Sequence, residues 1–293
     1  MRKIRRYLPN VLLTILLVFS LMGTLLCGTA RLALQESTYR SLMKQYALGE
    51  LSEELLEKRF AQRANTTGIP AETALTGADS EALTQWAQES VTQALSYLKG
   101  QQSQYALEPD LSASDAALTA FFSDYADENG YEKDAAYDAK VAQTISETHE
   151  EILSAADCFK FRMLYENGYL DTARRYVPLI GQAFTGLLVL TLVLAALLVL
   201  CNKGQLPLTL YWLGLAGLTA GGILLVPGIY LAATDYFAGF AVKDPQIFTA
   251  IVGLLRYLTD KLVNAAADAA LLGMISIIAF AVLVHVGKTK QNA

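Results

Sequence analysis

The chain holds 293 residues, 53% of them hydrophobic and only 17% charged, with a mean hydropathy of +0.32. That composition excludes an ordinary water-soluble domain and a disordered chain. A bare membrane bundle is excluded as well, because residues 31–178 carry 24 acidic and 13 basic side chains, a net of −11 in a chain whose total is −5.

The first 30 residues open on Arg2, Lys3, Arg5 and Arg6 and then run without a charge to Arg31. Three more uncharged stretches follow, between Arg175 and Lys203, Lys203 and Asp235, and Asp268 and Lys288; the four measure 24, 27, 31 and 19 residues. About 20 apolar residues cross a bilayer core as a helix. The sequence therefore predicts transmembrane helices over 11–30, 179–201, 208–233 and 269–286, between a basic N-terminus (1–10), a short loop (202–207) and a tail (287–293). The basic N-terminus and the Gly28-Thr29-Ala30 exit also fit a cleaved signal peptide. An uncleaved anchor is the favoured reading, because apolar periodicity continues through Leu32, Leu34, Tyr39 and Leu42.

With four spans, Arg2, Lys3, Arg5, Arg6, Lys203, Lys288 and Lys290 fall on one side with no acidic residue among them. The positive-inside rule makes that side cytoplasmic. Both termini are then inside a cell membrane, and 31–178 forms an acidic extracytoplasmic domain. A second outer piece, 234–268, follows span three. The expected fold is an all-α integral membrane protein, four transmembrane helices with a helical-bundle extracytoplasmic domain inserted between spans one and two.

Within that domain no segment alternates with a period of two, so helices are expected throughout. The first continues from the membrane to about residue 47 and is broken by Gly49; Ser52 caps a second over 53–64. Residues 65–79 read as a loop. Ser80 opens a helix to about Lys99, and Ser112 or Ser114 opens another ending at Asn129-Gly130. From 132 to 166 there is neither Gly nor Pro, and Tyr137, Val141, Ile145, Ile152, Phe159 and Met163 keep to one helical face, which predicts a single rod. Glu-Asn-Gly-Tyr occurs at 128–131 and again at 166–169, a turn used twice rather than a solenoid repeat. Asp244-Pro245 is a strong helix start, and the helix it begins either runs straight into span four, docked on the outer domain, or lies along the bilayer surface.

The order of one span, a large insert and three spans resembles, in topology alone, the permease subunits of macrolide-exporter-type ABC systems. Such permeases engage their ATPase through a cytoplasmic loop. The six residues 202–207 are too short for that, so the resemblance carries no functional residue across.

Three cysteines are present, Cys27, Cys158 and Cys201, and only Cys158 lies in the acidic segment. An internal disulfide is therefore excluded there, which favours a bacterial membrane over a secreted animal domain. His149-Glu150 begins the zinc-protease pattern HExxH, but the fifth position is Leu153 and the second ligand is missing. Asp124, Asp127 and Asn129 before Gly130 fail the calcium-loop register, which would need oxygen donors at Tyr125 and Ala136. No GxSxG, Walker A or GxGxxG occurs. No metal, no cofactor and no enzymatic activity are expected, and the acidic charge argues against nucleic acid as a partner.

Two clusters carry the functional expectation. Gly214, Gly217, Gly221 and Gly222 give span three a small-residue face, which serves either packing within the bundle or docking of a partner helix. Asp268, Gln182 and His285 are the polar groups nearest the membrane interior and the first residues to test for transport. The leading expectation is a non-enzymatic multi-pass protein of the cell membrane. Its outer domain binds a membrane or envelope protein, or a ligand, as an accessory or sensing subunit embedded in the lipid bilayer. The alternative is a small oligomeric transporter or channel, assembled from copies of the chain. A metal-dependent envelope enzyme using Glu147, His149 and Glu150 comes last.

Overall fold

A computed structural model describes the backbone of residues 2–291 and the side chains of residues 7–286. The basic side chains at both ends, Arg2, Lys3, Arg5, Arg6, Lys288 and Lys290, lie outside the described side chains. Among the described residues every regular element is a helix, with no strand. It divides into two compact units. An apolar unit takes the chain up to Leu34, Tyr176–Phe240 and everything from Leu255 onward; an inserted unit takes Gln35–Arg175 together with Ala241–Leu254.

In the apolar unit four helices are long and apolar enough to cross a membrane. They are α1 (Arg2–Leu32), α9 (Tyr169–Cys201), α10 (Leu206–Ala233) and α11 (Pro245–Gln291). Their outward side chains are as apolar as the inward ones: Leu192, Leu200, Val226 and Leu272 are all more than three-fifths exposed. A helix apolar all round belongs in lipid or in a large core, so the unit is compatible with a multi-pass membrane protein.

Several polar side chains of this unit, Asn10, Thr14, Ser20, Thr24, Asn202 and Thr209, are buried between its helices. Leu17 and Val18 of α1, Leu194 and Leu198 of α9, and Trp212, Ala216 and Ala220 of α10 make the packed centre. Beside it Asn10 and Asn202, both fully buried, exchange two amide hydrogen bonds of 3.0 Å in a closed ring. Further along, Ser20 Oγ donates to the Leu187 carbonyl and lies 2.8 Å from Thr191 Oγ1, which is also 3.2 Å from Thr24 Oγ1. Between apolar helices in lipid, dispersion and such hydrogen bonds fix which faces meet.

The inserted unit is built from α2 (Glu36–Gln45), α3 (Leu48–Thr67), α4 (Ala71–Ala74), α5 (Ser80–Leu98), α6 (Ser112–Asn129), α7 (Ala135–Ala156) and α8 (Phe161–Glu166). Leu56 and Phe60 of α3, Leu83 and Trp86 of α5, Leu118 of α6 and Ile152 of α7 close its core. Each such side chain contributes about 1.5–3 kcal/mol when taken from water. Asp79, one residue before the expected Ser80, caps α5 by accepting from Ala82 N–H. The two Glu-Asn-Gly-Tyr turns share a left-handed glycine after the helix, Gly130 at φ 68° after α6 and Gly168 at φ 73° after α8. Only glycine adopts that backbone without strain.

Several local expectations are corrected. The first helix does not continue to residue 47. It ends at Leu32, where Ala33 and Leu34 N–H turn back to Ala30 and Arg31, and extended Gln35 starts α2 afresh. Left-handed Ala47 rather than Gly49 breaks the chain before α3, and Ser52 lies buried inside α3, donating to the Leu48 carbonyl instead of capping. The stretch 65–79 contains the single turn α4. The rod over 132–166 is broken by a turn at 157–160. Asp157, buried, accepts from Phe161 N–H at 2.9 Å and Arg162 N–H at 2.8 Å, so it starts α8, and Lys160 takes the left-handed backbone between the helices. The break turns Phe159 and Phe161 onto Tyr39 of α2, edge to face at 4.9 and 5.9 Å. Helical periodicity counts apolar residues, and it continues across a turn whose side chains are also buried.

Candidate functional site

The start of α11 joins α3 and α7 of the inserted unit. Asp244 Oδ1 accepts from Gln246 N–H (2.9 Å) and Ile247 N–H (3.2 Å), the N-cap that Asp-Pro foretells. Gln246, 3% exposed, then plugs into the inserted unit. Its amide donates to Ser52 Oγ of α3 at 2.7 Å and to the Ala155 carbonyl of α7, and lies 3.2 Å from Cys158 Sγ. Three elements far apart in sequence thus meet at one amide. Nothing in the sequence singled out Gln246; its only signal was its place just inside a strong helix start. From there α11 runs unbroken to Gln291, so the straight continuation into span four is the one found.

Beside this plug lies a cleft of about 630 Å³ between α3 and α7. Arg59, Gln62, Arg63 and Thr66 recur at helical spacing on one face of α3, and Glu150, Glu151 and Ser154 face them from α7. Arg63 bridges two carboxylates, with one nitrogen 2.6 Å from Glu147 and another 2.6 Å from Glu151. Hydrogen bonds from Gln143 and from Arg63 hold the Glu147 carboxyl below the usual carboxylate range. Arg59 is nearly unused. Among the described residues its one hydrogen bond goes to Asp244 Oδ2 at 3.3 Å, the long end of the range. Glu151 is the reverse case, an acceptor short of a donor: Oε1 takes Arg63, while Oε2 is buried without a partner. Behind the cleft, Lys160 Nζ donates to the Ser154 carbonyl, and burial pulls its ammonium down from the ordinary lysine value. Burial likewise pushes the Asp157 carboxyl and the Cys158 thiol up.

The acidic run of α7 is divided between partners. Glu147 and Glu151 go to Arg63, Glu150 to Arg162, and His149 pairs with Asp115 of α6. Among the described residues no three His, Cys, Asp or Glu gather as metal ligands.

The glycines of α10 meet α11. A Cβ on Gly214 would lie 2.7 Å from the Gly273 carbonyl, one on Gly217 3.0 Å from the Ala269 carbonyl, and one on Gly221 2.6 Å from Ala270 N. Gly222 has open space around it. Gly214, Gly217 and Gly221 therefore pack inside the chain, and Gly222 faces away. Gly273 supplies the matching gap on α11. The three polar residues considered for transport are not gathered. Gln182 is exposed on α9, Asp268 is exposed on α11, and His285 is exposed seventeen residues further along α11, roughly 25 Å at 1.5 Å per residue.

No protein-family model, curated protein or solved structure matches the chain.

Proposed function

We propose that the chain is a non-enzymatic multi-pass protein of the cell membrane, an accessory or sensing subunit. Its inserted unit lies outside the membrane and binds a membrane or envelope protein, or a ligand. Both termini lie in the cytoplasm, on the side set by the seven basic residues. The observation that carries the reading is the seating of Gln246. The last membrane-length helix begins inside the inserted unit, on the amide that joins α3 and α7. An event that shifts α3 against α7 moves the first turn of α11 directly, with no cytoplasmic domain needed. On this reading any helix docking on α10 uses the outward side around Gly222, since the other three glycines are occupied by α11.

Crosslinking of the tagged chain in intact cells at native expression, followed by mass spectrometry, tests the proposal. One dominant partner crosslinked to residues of the inserted unit is expected. Self-crosslinks alone would overturn the accessory role and favour a homo-oligomer. The orientation has its own test: Tyr131→Cys, at an exposed position, labels in whole cells with a membrane-impermeant maleimide if the unit is outside.

A further inference from the structure

We propose that the cleft between α3 and α7 is a binding site for a small zwitterion, an α-amino acid or a short peptide with free ends. Arg59 takes its carboxylate and Glu151 its ammonium. The inference deepens the sensing role proposed above and rests on it only for its biological use.

Four observations carry it. The first is shape: the cleft holds about 630 Å³, within the range of small-ligand sites, and its lining side chains are all polar or charged. Such a lining suits a ligand that replaces water with hydrogen bonds. The second is charge. Arg59 and Arg63 stand against Glu150 and Glu151 in the lining, and the partners just outside it, Arg162 on Glu150 and Glu147 on Arg63, keep the balance, so a ligand of net charge would leave one sign unpaired, whereas a zwitterion pairs both.

The third is unused hydrogen-bonding capacity. The two arginines are used very differently: Arg63 spends two nitrogens on two carboxylates at 2.6 Å, and Arg59 has one contact at 3.3 Å. A guanidinium fork with spare donors takes a carboxylate in two parallel hydrogen bonds. Across from it, Glu151 Oε2 has no donor. Rotation about the terminal torsion of a glutamate, which is soft, brings either oxygen to a ligand ammonium. A donor with spare capacity and an acceptor lacking a partner thus stand on opposite walls of one cleft.

The fourth is connection. Arg59 holds Asp244, the residue that caps α11 beside the Gln246 plug. A ligand carboxylate on Arg59 competes with Asp244 for the same guanidinium. Filling the cleft is therefore sensed at the first turn of α11.

The test is calorimetry on the full-length protein in lipid nanodiscs. L-alanine and tri-L-alanine serve as probes for the free amino acid and the peptide, each also in its N-acetylated and its C-amidated form. At least one parent zwitterion should bind, and blocking either end should weaken it by about 10–100-fold, the worth of one charge-assisted hydrogen bond. In Arg59→Gln the C-amidated and parent probes should bind alike, and in Glu151→Gln the N-acetylated and parent probes should. Glu150→Gln, at an exposed carboxylate, covers the case in which Glu151→Gln upsets Arg63. It should weaken the parent less than Glu151→Gln in a folded protein. The proposal is overturned if neither zwitterion binds up to about 10 mM, or if both variants keep the parent's preference for free ends. A protein that binds no zwitterion yet crosslinks to a partner refutes this site and leaves the accessory role standing; one that binds tightly but crosslinks only to itself does the reverse.

Discussion

Alanine at Gly221 and alanine at neighbouring Gly222 should have opposite effects, because only one of the two glycines meets another helix. A Cβ on Gly221 would lie 2.6 Å from Ala270 N and 2.8 Å from Ala270 Cβ, and closer still to the Ala266 carbonyl. Carbon atoms rest about 3.5–4.0 Å apart, so α10 and α11 must separate locally by about 1 Å. Two of the neighbouring atoms belong to backbone, which cannot swing aside as a side chain does. Overpacking of this kind costs about 1–3 kcal/mol. The same shift loosens the close contacts of Gly217 with Ala269 and of Gly214 with Gly273. At Gly222 nothing stands within 4 Å, and alanine there gains up to about 1 kcal/mol of helix propensity. The two variants should therefore differ by roughly 2–4 kcal/mol. Reversible unfolding in mixed micelles with increasing SDS, followed by far-ultraviolet circular dichroism, measures this difference. Equal midpoints, or a more stable Gly221→Ala, would refute the crossing of α10 and α11.

The amide ring between α1 and α9 predicts coupling. Asn10→Ala leaves a buried Asn202 amide short of its partner and should cost about 1–3 kcal/mol. The double variant with Asn202→Ala should cost less than the sum of the singles in the same unfolding assay, and simple additivity would argue against the pair. Asp244→Ala should remove about 1 kcal/mol of helix capping. That loss should speed hydrogen exchange of the Gln246 and Ile247 amides about fivefold, read by mass spectrometry; unchanged rates would show that Asp244 does not cap α11. Cys158 should resist maleimide at pH 8 in the folded protein, because only 2% of it is exposed and burial raises its thiol pKa. A folded pKa above the unfolded one gives stability that is full below the ordinary thiol value, about 8.5, and is lost as pH rises past it. The unfolding midpoint should thus fall between pH 8 and 10, by less in Cys158→Ala than in the parent. Tyr39, pushed up to about 12 by burial, extends the same trend beyond pH 10.

What the sequence revealed and what it concealed follow a physical division. Features held by neighbouring residues were legible: the four uncharged runs, the Asn-Gly turns at Gly130 and Gly168, and the Asp244-Pro245 start. Features made by residues far apart were not. Asn10 and Asn202 stand 192 positions apart, and Gln246 reaches Ser52 across 194; no local pattern marks either. The rod over 132–166 failed for a related reason. Phe159 keeps helical spacing with Ile152, yet it is buried by Tyr39 of another helix while Asp157 turns the chain. The small-residue face of α10 was legible as a face, but its occupant, α11, was not, because a glycine gap has no preference for its own chain over another. Arg59 and Arg63 on α3, and Glu147 and Glu151 on α7, stand four residues apart, so each helix shows one charge sign at helical spacing. Their unequal use of hydrogen-bonding capacity shows only when α3 and α7 lie side by side.

The seating of Gln246 also sets an order of events during synthesis. The inserted unit receives its chain in two instalments, Gln35–Arg175 early and Ala241–Leu254 late, with α9 from Tyr176 and all of α10 made in between. Residues 35–175 can collapse as soon as they are made, but Ser52 and the Ala155 carbonyl wait for the Gln246 amide until those two apolar helices have followed. The unit is thus complete only after three of the four membrane-length helices have been made. A chain stalled or cleaved before residue 241 lacks Ala241–Leu254, and with them the Gln246 amide that ties Ser52 of α3 to the Ala155 carbonyl of α7.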